Sequence, residues 1–310
     1  MDYDYKSIDR EIKKKIITEI EAEIKKDNSK FFEEQPPIRI KEKNWKKEKK
    51  KNAKGEYEYE DIPFADGVKT IIDEICNAAK IEKDKNGEEI FKLSRSDVFG
   101  ESDTKKKIIK ALMWGYPKAT MPFSGKNNII NITKDENLEK LVNLFNDIKE
   151  RPLAEKEINE KLPKLKVDGV SGLGIATMSK LLYFFKVSFE GKRCLIYDSN
   201  VMRFLNHDDK KLTLCTACYK EYCNMLKRKE NVDTELQKRL NGCVKESKWD
   251  DKCYFKYLGL MNDLMLQLKT DSENDLKIKK EIQGKSDKEI EEQIEFYMFT
   301  KGKDLGDVED

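Results

Sequence analysis

The N-terminal segment carries an apolar residue at every fourth position among charged neighbours. The stripe consists of Ile8, Ile12, Ile16, Ile20 and Ile24. A spacing close to the 3.6-residue period of the α-helix puts these side chains on one face, so the pattern predicts an amphipathic helix within residues 6–27. Gln35-Pro36-Pro37 then ends this first segment, residues 1–34.

Helical periodicity recurs along the chain and predicts a mainly α protein. Helices are expected at residues 68–79, 104–114, 138–150, 158–165, 176–185, 215–228 and 253–268. Apolar runs on both sides of Glu190-Gly191-Lys192 predict one short β-hairpin within residues 187–197. We take residues 63–270 as the helical core, and residues 271–310 as a charged C-terminal helix with an acidic tail.

Residues 35–62 are dominated by charge, from Lys41 through Lys54 to Glu60. This composition predicts a solvated loop or insert. The lysines leave a second interpretation open, in which the segment is a basic arm that follows a nucleic-acid backbone and Trp45 stacks on a base.

Overall composition narrows the class of protein. Lys and Arg number 62 and Asp and Glu number 60, giving a net charge of +2, so any affinity for a polyanion must come from a local patch. No apolar run is long enough for a membrane span or a secretory signal, and the seven cysteines are then expected as reduced thiols in the cytoplasm. His207 is the only histidine, which disfavours multi-histidine metal sites, and the chain has no phosphate-binding loop or dinucleotide fingerprint.

The run from Val170 to Thr177 contains a glycine turn, Gly172-Leu173-Gly174, at the start of an apolar helix. Glycines permit positive φ and remove Cβ atoms where the backbone meets another surface. The first amides of a helix lack intrahelical partners, so they can bind a phosphate oxygen. A tight connection between two helices, with no ligand, remains the alternative for this turn.

Asp198 stands just before Ser199-Asn200-Val201, where the next helix is expected to begin. Capping that helix is its simplest role. The order along the chain adds a second role: a glycine hairpin, an apolar helix, a short crossover and then Asp-Ser-Asn-Val. Over about residues 165–205 this order resembles the helix-hairpin-helix DNA glycosylase superfamily. Together with Trp114-Gly115-Tyr116-Pro117 upstream, the chain is most similar to bacterial proteins with an 8-oxoguanine DNA glycosylase fold.

The resemblance implies a two-lobed helical fold with a short β element, and DNA lying in the cleft between the lobes. The helix-hairpin-helix would occupy about residues 155–186. Asp198 would be the catalytic carboxylate, and Trp114 and Tyr116 would line the pocket for the flipped base. The implied DNA-binding residues are Ser171, Gly172, Gly174, Ile175, Ala176, Thr177 and Lys180.

Two departures from the superfamily's patterns change the expected chemistry. Bifunctional members carry a Schiff-base lysine where this chain has Ala176, so we expect a monofunctional enzyme without β-lyase activity; Lys180 is the one substitute amine nearby. The spacing of Cys215, Cys218 and Cys223 does not match the four-cysteine iron–sulfur motif of some members. We therefore expect no cofactor and no metal, with zinc at these cysteines as the alternative to packed thiols.

The sequence therefore favours a DNA N-glycosylase that acts in base excision repair or in defence against phage DNA with modified bases. The resemblance suggests an oxidised purine as the excised base. DNA is the expected partner, with no membrane and no dinucleotide. The alternative is a non-catalytic helix-hairpin-helix protein that binds DNA and in which Asp198 serves only as a cap.

Overall fold

The computed structural model describes residues 10–26, 31–32, 35–51, 56–79, 81–119, 127–154, 157, 160–161, 170, 173–206 and 251–307. These residues are mainly helical with a few short strands, as the sequence predicted. The chain divides into two compact units. The terminal unit comprises Met1–Glu34 and Lys192–Asp310, and the central unit comprises Gln35–Gly191.

The central unit contains seven helices and seven strands among its described residues. The helices are α2 (Glu42–Lys46), α3 (Asp66–Ala78), α4 (Arg95–Phe99), α5 (Thr104–Gly115), α6 (Asn127–Ile132), α7 (Asp135–Ile148) and α8 (Ile175–Phe184). The strands are β1 (Ile38–Lys41), β2 (Lys47–Lys51), β3 (Tyr57–Asp61), β4 (Ile81–Lys83), β5 (Glu89–Leu93), β6 (Pro152–Leu153) and β7 (Ser188–Phe189). The expected helices at 68–79, 104–114, 138–150 and 176–185 are confirmed within a few residues, because each buries its apolar stripe.

The terminal unit joins the two ends of the described chain. Its elements are α1 (Arg10–Ile24), β8 (Lys192–Arg193), α9 (Ser199–Asn206), α10 (Asp251–Ser272), α11 (Leu276–Ile282) and α12 (Asp287–Asp307). The described part of the predicted stripe is confirmed, since Ile16, Ile20 and Ile24 are buried and Ile12 is half-buried, while Ile8 lies outside the described residues. Ion pairs tie α1 to the later helices: Lys13 pairs with Asp263, and Lys25 Nζ lies 2.9 Å from Asp275 Oδ2. The expected helix at 215–228, and all of the one at 158–165 except residues 160–161, lie outside the described residues.

The lysine-rich segment expected as a loop instead forms regular structure. Strand β1 lies antiparallel to β5, which also pairs with β4, while β2 and β3 form a two-stranded antiparallel ribbon. In the turn between β4 and β5, Gly87 has φ 76°, and Asp84 Oδ1 accepts from the backbone N–H groups of Asn86 and Glu88.

The hairpin expected within residues 187–197 is shorter than predicted. Strands β7 and β8 are two residues each, and Glu190 (φ 44°) and Gly191 (φ 80°) form the left-handed turn between them. Residues 194–197 are buried but form no strand, because the carbonyls of Leu195 and Ile196 accept from side chains of α10. No helix in the described ranges is both long and apolar enough to cross a bilayer.

Candidate active site

Asp198 lies at the N-terminus of α9 in the terminal unit and is 7% exposed. Its Oδ1 accepts from the backbone N–H of Asn200 at 3.0 Å and of Val201 at 3.3 Å, and its own carbonyl accepts from Met202 N–H at 2.9 Å. The side chain therefore caps the helix, as the simpler interpretation expected. The same two bonds also hold a buried carboxylate in one orientation.

Two tyrosines of α10 hold the segment that leads to Asp198. Tyr254 donates its hydroxyl to the Leu195 carbonyl at 2.7 Å, and Tyr257 donates to the Ile196 carbonyl at 2.9 Å. The ring of Tyr197 stacks on that of Tyr257 with 4.6 Å between centroids. Burial raises the pKa of Tyr254 well above its ordinary value, so its hydroxyl remains a proton donor.

Sequence reasoning missed this pair of tyrosines. Tyr254 and Tyr257 are three residues apart and therefore share a face of α10, which is the only signal that the sequence offered. Their acceptors are carbonyls 59 and 61 residues earlier in the chain, and no local sequence pattern predicts such long-range hydrogen bonds.

The described part of the glycine turn, in the central unit, begins at Leu173, because Ser171 and Gly172 lie outside the described residues. Gly174 is the N-cap of α8, is exposed, and has φ −70° and ψ 170°, so it does not use the positive φ that glycine permits. No side chain caps the helix, and the amides of Ile175 and Ala176 have no acceptor within α8. A Cβ added at Gly174 would meet nothing within 4 Å.

The two polar side chains expected to assist phosphate binding point into the protein instead. Thr177 is 3% exposed and its hydroxyl lies 2.7 Å from that of Tyr116. Lys180 is 4% exposed, with its Nζ 3.4 Å from the Ala176 carbonyl and 5.4 Å from the centre of the Tyr116 ring. Burial along α8 therefore removes both side chains from the surface, and of the described part of the turn the backbone at Gly174 stays exposed.

Gly115 provides the space that the Lys180 stem occupies. A Cβ at Gly115 would lie 2.6 Å from Cδ of Lys180, so a side chain at this position would displace the lysine. Because these atoms belong to the flexible end of a lysine side chain, Gly115 makes room for this lysine and does not by itself set the spacing of α5 and α8.

Trp114 and Tyr116, expected in a base pocket, are 8% and 7% exposed. Trp114 packs edge-on against Phe184 at 5.3 Å, and the Arg95 guanidinium lies 5.2 Å from the Trp114 ring centre. Stacking on a base would require these contacts to open.

The interpretation of Trp45 as an exposed stacking residue is wrong. Trp45 is fully buried, stacks on Phe64 at 6.0 Å between centroids and donates its indole N–H to the Tyr116 carbonyl at 3.2 Å. A buried indole needs such an acceptor, and the bond fixes the residue that follows α5.

With this geometry established, comparison with known families identifies the chain. Residues 34–278 match the family described as "Putative 8-oxoguanine DNA glycosylase OGG-like protein". The chain belongs to this family. No curated protein and no solved structure matches it.

The match to the OGG-like family covers residues of each unit. It includes Gly174, Asp198 and the two tyrosines of α10, and it supports DNA as the substrate class. It ends at residue 278, so α12 lies beyond it. Within the described ranges no cluster of three or more metal-binding side chains occurs, while Cys215, Cys218 and Cys223 lie outside those ranges.

Proposed function

We propose that the protein is a monofunctional DNA N-glycosylase that flips a damaged or modified base out of the helix and hydrolyses its N-glycosidic bond. The observation that carries the proposal is the state of Asp198, a buried carboxylate held by two backbone amides within the range that matches a DNA glycosylase-like family.

The proposed role of Asp198 follows from the charge that develops during the reaction. As the base leaves, positive charge builds on the deoxyribose, and a fixed carboxylate stabilises this oxocarbenium-like state. The same group orients a water molecule and takes its proton as the water attacks C1′, while the base leaves with the electron pair of the broken bond and takes up a proton from solvent. A side chain fixed by hydrogen bonds needs no reorganisation during this step.

We assign the DNA anchor to backbone amides at the start of α8. Ile175 and Ala176 present N–H groups at the positive end of the helix dipole, which is a favourable place for a phosphate oxygen. The fold has open space at Gly174, so its own packing does not require a glycine there. Close approach of a nucleic-acid backbone would explain why this position is a glycine.

Gly174→Ala is therefore expected to weaken DNA binding by about tenfold, because the added methyl stands where the phosphate approaches. Its free energy of unfolding should hold or rise by up to about 1 kcal/mol, since alanine reduces the entropy of the unfolded chain. Gly67→Ala is the matched control, because a Cβ at Gly67 also meets nothing within 4 Å. If the two variants bind DNA with equal affinity in a fluorescence-anisotropy titration, the amides at the start of α8 are not the DNA anchor.

Hydrolysis without a covalent intermediate is also part of the proposal. Ala176 has no amine, and the Lys180 stem is packed against Gly115. Borohydride is therefore expected to trap no covalent complex between the protein and DNA that contains the substrate base or an abasic site. An adduct that disappears in Lys180→Gln would replace the monofunctional mechanism by a lyase mechanism.

The glycosylase proposal is tested by mass spectrometry of free bases released from DNA. The substrates are a duplex containing 8-oxoguanine, plain genomic DNA, and phage DNA with modified cytosines. Release of an oxidised purine supports a role in base excision repair, and release of a modified base from phage DNA supports a role in defence. If none of these substrates yields a free base, the glycosylase proposal fails.

A further inference from the structure

The C-terminal helix α12 approaches α9 at a single glycine. A Cβ built on Gly302 would lie 1.8 Å from the carbonyl oxygen of Asn200, 2.7 Å from its carbonyl carbon and 3.2 Å from its Cα. These are backbone atoms, which cannot rotate away as the end of a side chain can. Only a hydrogen atom fits between the two helices at this point.

The side chain of Arg203 in α9 joins the same two residues by hydrogen bonds. Its Nη1 donates to the Gly302 carbonyl at 2.8 Å and to Oδ1 of Asn200 at 3.2 Å. Asn200 in turn donates its backbone N–H to Asp198 Oδ1. One residue, Asn200, therefore contacts both the glycine of α12 and the carboxylate of the candidate site.

We infer that Gly302 is a positioning residue for Asp198. Helix α12 supports the first turn of α9 through Gly302, and that turn fixes the carboxylate. The inference rests on the proposed function, because it assigns Gly302 an effect on the reaction at Asp198. It also adds an element to the site, since α12 lies outside the residues that match the family.

The size of the expected effect follows from the contact distance. With alanine at 302, the Asn200 carbonyl would have to move by roughly 1 Å or more to leave an ordinary contact, because Cβ atoms essentially never come within 3.0 Å of another heavy atom. The Asn200 N–H belongs to the same turn, so the Asp198 carboxylate would move with it. A misplacement of about 1 Å can reduce a reaction rate by about a hundredfold.

The decisive experiment compares Gly302→Ala with Gly259→Ala. Gly259 lies within α10, where a Cβ would meet nothing within 4 Å, so this control adds the same methyl to a helix of the same unit. We expect Gly302→Ala to lower the single-turnover rate of base release by about a hundredfold, with a DNA dissociation constant within about twofold of wild type. A wild-type rate in a folded Gly302→Ala protein overturns the inference. So does a rate that falls only in proportion to the folded fraction.

A second variant covers the case in which Gly302→Ala does not fold. Arg203→Gln removes the guanidinium that joins Gly302 to Asn200, while both glycine and backbone remain. We expect its single-turnover rate to fall by about tenfold at unchanged DNA affinity, because one charge-assisted anchor of the turn is lost. An unchanged rate in a folded Arg203→Gln protein would overturn the inference.

Amide hydrogen exchange separates this inference from the proposed function. If the wild-type protein releases no base from any DNA, the proposed function fails. The exchange rates of the Asn200 and Val201 amides still measure how stable their hydrogen bonds to Asp198 are. Faster exchange at these amides in Gly302→Ala than in Gly259→Ala supports the positioning contact. Equal exchange in the two variants overturns it.

Discussion

Asp198→Asn should abolish base release, lowering the single-turnover rate by roughly a thousandfold, while DNA affinity stays near wild type. The neutral amide cannot stabilise positive charge on the sugar and cannot accept a proton from water. Its oxygen can still accept from the backbone amides of Asn200 and Val201, because asparagine caps helices about as well as aspartate. The measurement combines quenched single-turnover assays with anisotropy titrations.

Asp275→Asn is the matched control for this substitution. Asp275 caps α11 with the same geometry, since its Oδ1 accepts from Lys277 N–H at 3.0 Å and from Ile278 N–H at 3.3 Å. The control variant should release base at the wild-type rate. If Asp198→Asn also keeps wild-type release, the carboxylate is only a cap. A wild-type protein that binds DNA but releases no base would favour the non-catalytic helix-hairpin-helix alternative.

A second large effect concerns stability and comes from Glu291, which is buried in α12. Burial raises the pKa of Glu291 to about 7 from its ordinary value of 4.5, and the nearby carboxylates of Asp287 and Glu292 add to the rise, while Arg193 and Lys192 oppose it. The folded protein therefore holds a proton that the unfolded chain releases near pH 4.5. Stability from this group is complete below about pH 4.5 and is lost as pH rises through about 7.

Glu291→Gln should remove this loss, because a neutral amide replaces the protonated acid at every pH. The free energy of unfolding at pH 8 is expected to rise by up to about 3 kcal/mol over wild type, with little change at pH 4. Urea denaturation at several pH values measures both. The control is Glu273→Gln, which makes the same change at an exposed glutamate. Parallel profiles for wild type and Glu291→Gln would contradict the prediction.

The helices were predictable because each one buries an apolar stripe. The stripe of α1 and that of α7, with Leu138, Leu141 and Phe145 buried, are visible without any tertiary information. The ribbon of β2 and β3 was not predictable in this way, because its lysine-rich strand has no apolar alternation. Its register sets Lys47 opposite Asp61 and Lys50 opposite Glu58, and such pairing between strands does not appear in a local charge pattern.

The candidate site was predictable only in the parts that a short motif contains. Asp198 and the turn at Gly174 stood out from their neighbours in sequence. Long-range hydrogen bonds did not stand out: Trp45 donates to the Tyr116 carbonyl, 71 residues away, and Arg203 donates to the Gly302 carbonyl, 99 residues away. Lys180 illustrates the opposite error, since a lysine near a glycine turn suggested a phosphate contact and the fold buries it.

The terminal unit is built from one chain segment that precedes the central unit and one that follows it, so its two segments are translated at different times. A ribosome makes α1 before the central unit, but the partners of α1 on α10 and α11 emerge only after the central unit has been translated. The central unit can fold meanwhile, and the nascent α1 must wait with its isoleucine face uncovered, a state that chaperones recognise. Because α12 follows α9 in the chain, the contact between Gly302 and Asn200 can form only after the whole segment between them has been translated.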